Sequence, residues 1–279
     1  MGNVRLDEIG YWSEVKLDII QKYASAYSTI ISKQDYIRGH VYIDGFAGAG
    51  THISKTTKQF VAGSPRNALN VEPPFTEYHF IDLNSGKVDL LREMSSECEN
   101  VKVYEGDCNK ILLEQILPLV KYSDFKRALC VLDPYGVHLD WEVMYTAGQM
   151  KSVEIFLNFS VMDMNMNILR RNRSKVDETQ IARMDAFWGD SSWREAAYIK
   201  APSLFDDIDI EEKTNNDAVA KAFQKRLKEV AGFAFVPDPI PMRNTTGATV
   251  YYLFFASPNK TGGRIVKDIF EKYKYMGAI

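Results

Sequence analysis

"HVYIDGFAGAGTH", residues 40–52, sets a short apolar run against an aspartate and three glycines, and its reading decides the fold. Val41, Tyr42 and Ile43 have the pattern of a buried strand, Asp44 closes it, and Gly45, Gly48 and Gly50 supply the material of a tight turn. A glycine pair alone is a weak signal, because many strand-to-helix turns need one. The meaning of the stretch therefore depends on the residues at the ends of the next strands.

Beyond it, four more apolar runs are bounded by turn residues: "EYHFIDL" (77–83), "VKVYEGD" (101–107), "RALCVLDPYG" (127–136) and "VEIFLNFS" (153–160). Helical patterns over 85–97 and 109–121 separate them, and Trp12, Val15, Ile19, Ile20, Tyr23, Tyr27, Ile30 and Ile31 mark an amphipathic helix ahead of the first run. Short apolar strands alternating with helices predict a parallel sheet wrapped on both faces. The pattern breaks at 161–215, which holds Met162, Met164 and Met166, the basic cluster "RRNRSK" (170–175) and an acidic run. This segment reads as an insertion for substrate recognition or partner binding within a single domain spanning 1–279. The alternating methionines suggest a lid or an adaptable contact surface. A helix over 217–232, a closing hairpin (233–244 with 248–257) and a last helix near 260–274 complete the chain.

In an open α/β sheet, ligands bind beyond the carboxyl ends of the strands. Here four successive strands end in an aspartate: Asp44, Asp82, Asp107 and Asp133. Gly48 and Gly50 let the backbone approach a ligand, and Asp44, followed by Gly45 and Phe46, suits the ammonium of an amino-acid moiety. Asp82, with Leu83 beside it, offers two acceptors to a vicinal diol, and Asp107 with Cys108 suits an adenine edge. Asp44 and Asp82 lie further apart than the roughly 20 residues of a dinucleotide fingerprint, which disfavours an NAD-linked oxidoreductase. The extra length contains Ser64-Pro65, a candidate helix cap and first helical residue.

"YIDGFAGAG", "AGSPRNAL", "FIDLN", "GDCN", "LDPYG" followed by a tryptophan, and "LNFS", in this order, resemble the three-Cys-motif partner (TcmP) proteins, a bacterial family with a methyltransferase-like fold. The resemblance covers roughly residues 10–200. It implies a Rossmann-like class I fold binding S-adenosyl-L-methionine (SAM), a mostly parallel seven-stranded sheet with a terminal antiparallel hairpin, and a three-Cys-motif partner protein. Asp133-Pro134-Tyr135-Gly136 is similar to the turn of amino-methyltransferases, whose oxygens hold the target amine while an aromatic ring stacks on its base. On that basis Asp133, Pro134 and Tyr135 are the expected catalytic residues. Tyr135 with Arg170, Arg171 and Arg173 is expected to hold a nucleic-acid substrate, RNA or DNA. The alternative is a non-catalytic SAM-binding subunit.

Composition narrows the field further. Its 279 residues, 46% of them hydrophobic, suffice for a large core. With a net charge of −3, polyanion binding requires a local basic patch. Cys98, Cys108 and Cys130 have no C-x-x-C spacing, and the four histidines are scattered, so no metal site is expected. His52 and His138 flank the proposed pocket in sequence, and Trp141 reads as core. The absence of an apolar leader or long apolar segment suggests a cytoplasmic protein.

Overall fold

The computed structural model describes residues 6–170, 176–201, 210–244 and 246–274. Seven strands form the central sheet: β1 (Gly39–Asp44), β2 (Glu77–Asp82), β3 (Val101–Glu105), β4 (Lys126–Leu132), β5 (Val153–Phe159), β6 (Ile240–Arg243) and β7 (Thr249–Ala256). Their spatial order is β6-β7-β5-β4-β1-β2-β3, and only β7 runs antiparallel to its neighbours. Every residue of β1 is buried, as expected of a central parallel strand covered on both faces. The chain reverses direction across the sheet between β1 and β4, so the crevice beyond Asp44 and Asp133 lies at the topological switch point.

One face is covered by α1 (Tyr11–Ile31), α3 (Ser85–Met94) and α10 (Lys260–Tyr273), which pack Tyr23, Leu91 and Phe270 against Tyr42, Phe156 and Phe255. The other carries α5 (Trp141–Met150), α6 (Val161–Asn167), α7 (Glu178–Trp188) and α9 (Asn216–Glu229), with Phe159, Phe187, Phe223 and Phe254 in mutual ring contact. Trp141 belongs to this core. Met164 does too, whereas Met162 and Met166 point outward from α6.

Two local expectations need correction. The helix over 109–121 is instead α4 (Cys108–Ile111), a π-turn (Leu112–Ile116) and a 3-10 turn (Leu117–Leu119). Pro118 lacks the N–H a continuing helix needs, and the ladder breaks around it. α2 (Ser64–Leu69) is capped by Gly63, which puts Ser64 inside the helix with its hydroxyl turned to Asp44. The extra length between β1 and α2 is a small ribbon in which Thr51–Ser54 pairs antiparallel with Phe60–Ala62 and parallel with Glu8–Ile9. No helix among the described residues is long and apolar enough to cross a membrane.

Candidate active site

The loop after β1 is held by its neighbours before any ligand is considered. Gly48 (φ 64°) and Gly50 (φ 72°) take the left-handed conformation that glycine tolerates. The Gly48 amide donates to Asp82 Oδ2 at 2.9 Å, and the Asn84 amide donates to Oδ1 at 2.8 Å. Asp82 thus ties the β1 loop to the end of β2 while each oxygen keeps a lone pair for a further donor. Leu83, beside it, is exposed. At Gly45 a Cβ would lie 2.8 Å from Cys108 Sγ, so the glycine is what lets α4 approach β1. The Cys108 side chain is therefore core, and its main chain is what the strand end presents. Asp107 caps α4 by accepting from the Lys110 amide at 3.0 Å.

Asp44 is fully buried. Its Oδ1 accepts from the Phe46 amide at 3.2 Å, and Oδ2 makes no hydrogen bond of good geometry. Burial raises its carboxyl to about 7, against the pull of the Ser64 hydroxyl and the Phe46 amide. A buried carboxylate oxygen without a donor costs free energy unless a ligand supplies one.

Across the crevice, Asp133 follows β4. Lys16 Nζ donates to Oδ2 at 2.5 Å and Asn158 Nδ2 donates to Oδ1 at 2.7 Å. Burial opposes the charge on Lys16, but the Asp133 carboxylate overcomes it and holds the ammonium above its ordinary range. Lys16 also stands 5.3 Å from the centre of the Tyr251 ring, whose hydroxyl donates to Trp12 O. Tyr135 is 69% exposed, with Lys87 Nζ 5.9 Å over its ring, and Lys87 in turn pairs with Asp7 at 2.7 Å. Gly136 (φ 61°) brings the turn against Asp163, which a Cβ would meet at 2.5 Å.

These groups line one cavity of about 390 Å³. Asp133, Pro134, Tyr135, Phe46 and Gly48 face Lys16, Asn158, Tyr251, Ser64 and His52, under the edge formed by Asp7, Glu8 and Ile9. Asp44 does not line that cavity but is buried behind its wall, and Asp82, Leu83 and Asp107 lie outside it, on the shoulder of the neighbouring strand ends. Of the basic cluster, Arg170 donates from Nε to Met166 O on α6, and Arg171 and Arg173 lie outside the described residues. His52 has a buried Nδ1 without a partner and burial lowers its pKa, while His138 is exposed. No cluster among the described residues could hold a metal ion.

Lys16, Asn158 and Tyr251 join the site although sequence reasoning does not single them out, and Ser64 joins it although the sequence marks it only as a candidate helix cap. Lys16 does leave a signal: it sits four residues after Trp12 and three before Ile19, a charge inside an apolar stripe.

No family model and no curated protein matches the sequence. Among solved structures, the chain is similar to protein LPL1258 from Legionella pneumophila at 11% identity and a TM-score of 0.55, covering 94% of this chain and 92% of that one. The structure of a putative methyltransferase from Thermobifida fusca matches with a TM-score of 0.41 at 11% identity, covering 88% of this chain and 82% of that one. The DszA carbon methyltransferase matches at 0.45 and 15% identity, covering 88% of this chain but 54% of its own. The strand order with a single antiparallel β7 settles the architecture. This is the class I SAM-dependent methyltransferase fold. In open α/β sheets ligands bind at the switch-point crevice, which here lies between the ends of β1 and β4.

Proposed function

We propose that this chain is a SAM-dependent methyltransferase acting on an exocyclic amine of a nucleobase in RNA or DNA. The observation that carries the reading is a pair of differently prepared carboxylates at the ends of two neighbouring strands: Asp133, in the cavity and held by Lys16 and Asn158, and Asp44, buried behind the cavity wall of Phe46 and Ser64 with an oxygen that has no hydrogen-bond partner. Asp44 Oδ2 would accept from the ammonium of the methionine half, the Gly48–Gly50 loop would follow its chain, and Asp82 would accept from the ribose hydroxyls. Leu83 and the Asp107–Cys108 main chain would border the adenine. When bound, SAM supplies an electrophilic methyl group.

The remaining work falls to the chain itself. Lys16 pairs with Asp133 at one oxygen and Asn158 donates to the other, which fixes the carboxyl group and leaves each oxygen a further lone pair at the cavity wall. One such lone pair and the Pro134 carbonyl suit the two N–H groups of an aromatic amine and leave its own lone pair free. Positioning of this kind replaces a strong general base. Tyr135, exposed at the mouth, provides a face for an unstacked base.

The motif resemblance to the three-Cys-motif partner family supports the same fold and cofactor, and it adds a partner protein in the cytoplasm as part of the proposal. Calorimetry with SAM, NAD and the Asp82→Ala variant tests the cofactor: tight binding of SAM alone, lost in the variant, is expected. Labelled methyl transfer to total RNA, DNA and protein tests the chemistry. Persistent absence of label, with SAM bound and the partner present, would replace the enzyme by a SAM-binding subunit.

A further inference from the structure

At the outer edge of the sheet, away from the crevice, two adjoining cavities run between α9, α10 and the segment leading into β6. One, of about 350 Å³, is lined by Lys228, Lys260, Arg264 and Lys267 over Phe235, Val236 and Pro237, with no acidic residue. The other, of about 310 Å³, shares Lys228, Lys267, Val236 and Pro237 and continues to Lys274. It also holds two acids, Asp238, which accepts from the Gln224 amide at 3.2 Å, and Glu271, which pairs with Lys274 at 3.8 Å, both partners lining the same cavity. Among the described residues, none of Lys228, Lys260, Arg264 and Lys267 has an ion-pair partner.

The spacing turns this patch into a track. Lys260, Arg264, Lys267, Glu271 and Lys274 follow one another at steps of four and three, which places them on one face of α10. Fourteen residues of helix carry that stripe about 21 Å. Lys274 adjoins Tyr273, whose hydroxyl donates to Asp18 on α1 and receives a bond from Lys22. Lys22 is six residues, about 9 Å of helix, from Lys16 in the crevice. One end of the track therefore points toward the cavity that holds Asp133.

The edge itself selects the occupant. Pro237, Pro239 and Pro241 remove alternate backbone donors before and within β6, the edge strand, so an added peptide strand cannot complete its ladder here. What remains is a row of unpaired cations at intervals over an apolar floor. On a chain of net charge −3, such a row is the local patch that a polyanion needs. We propose that the groove between α9, α10 and β6 binds the phosphodiester backbone of a polynucleotide strand. It deepens the nucleic-acid reading of the crevice, and it rests on that reading only for the path of the strand toward Tyr135.

The test uses the full chain and a fluorescein-labelled single strand of about 20 nucleotides, as RNA and as DNA, followed by anisotropy from about 50 to 200 mM salt. The variants are Lys228→Glu/Lys267→Glu and the milder Arg264→Gln, each checked by thermal melting and by SAM calorimetry. The expected result is binding that weakens with salt, at least tenfold weaker in the double variant at the lowest salt. The slope of log affinity against log salt should become shallower by about 1.4, that is, two contacts at about 0.7 each. Arg264→Gln should lose several-fold, with SAM affinity unchanged in both. Wild-type affinity retained by the double variant would overturn the groove, as would failure of the wild type to bind either strand, or equal competition by polyglutamate. Failure to bind SAM, with strand binding intact, would instead overturn the methyltransferase reading and leave the groove standing.

Discussion

In the proposed reading, Asp44 serves the ligand at the expense of the empty protein. With its carboxyl raised to about 7 by burial, the folded state holds a proton that the unfolded chain has already released above about pH 4. Its stabilising contribution is therefore complete at low pH and is lost as pH rises toward 7. Replacing it by asparagine removes that cost. Asp44→Asn should raise the unliganded protein's stability at about pH 8 by up to about 3–4 kcal/mol, read by denaturant titration, while abolishing SAM binding. In the wild type, SAM affinity should fall about tenfold per pH unit below about 7, and the variant should show no such slope. Lys16 and Asp133 form the second test at this scale. Lys16→Met should slow methyl transfer at least tenfold with little change in SAM affinity. A double-mutant cycle with Asp133→Asn should show coupling of about 1–3 kcal/mol, and additive losses would mean that the pair acts independently.

At the scale of elements, the turn after β1 makes two glycines unequal. Both adopt positive φ, but a Cβ on Gly48 would meet only His52 Cε1 at 3.8 Å, whereas on Gly50 it would lie 2.7 Å from Met94 Sδ. Gly48→Ala should cost about 1 kcal/mol for the left-handed backbone alone. Gly50→Ala adds the displacement of Met94 and should cost about 2–4 kcal/mol in the same unfolding assay. Equal losses would show that the loop relaxes freely. The strands around this turn are legible in the sequence because aspartate and glycine punctuate their ends. The 109–121 segment reads as one helix because its apolar spacing conceals the break at Pro118. The 51–62 ribbon leaves no signal in the sequence because its strands are too short for alternation to register. Lys16 looks like one charge on an amphipathic helix, and Asn158 like one polar residue near the end of an apolar strand. Both acquire their role only when the sheet brings β5 and α1 to Asp133, across 25 and 117 residues of chain.

For the molecule as a whole, the sheet separates two cores, and the face toward α1 and α10 contains a second buried acid. Glu154 accepts from the Tyr23 hydroxyl and, at 2.7 Å, from the Ser257 hydroxyl, with Gly262 allowing α10 to close over it. Burial raises its carboxyl to about 7. By the same sign, its contribution to stability is full below pH 4.5 and is lost as pH approaches 7. Glu154→Gln should therefore gain on the wild type in melting temperature from about pH 5 to about pH 8, and a constant difference would mean the acid is ionised throughout. Seven strands, their parallel sense and the closing hairpin are all readable from apolar runs and turn residues. The basic groove is not, because Lys228 and the α10 cations are distant in sequence and become neighbours only at the sheet edge.

The pairing of Glu8–Ile9 with Thr51–Ser54 has a practical consequence for anyone handling this protein. It stations the backbone just before α1 at the rim of the crevice, where Asp7 reaches Lys87 and Lys87 reaches Tyr135. A purification tag or fluorescent fusion joined directly to Leu6, in place of the residues before it, would start at that rim and crowd whatever enters. An inactive preparation carrying one should be assayed again after cleavage before its lack of turnover is attributed to the chain itself.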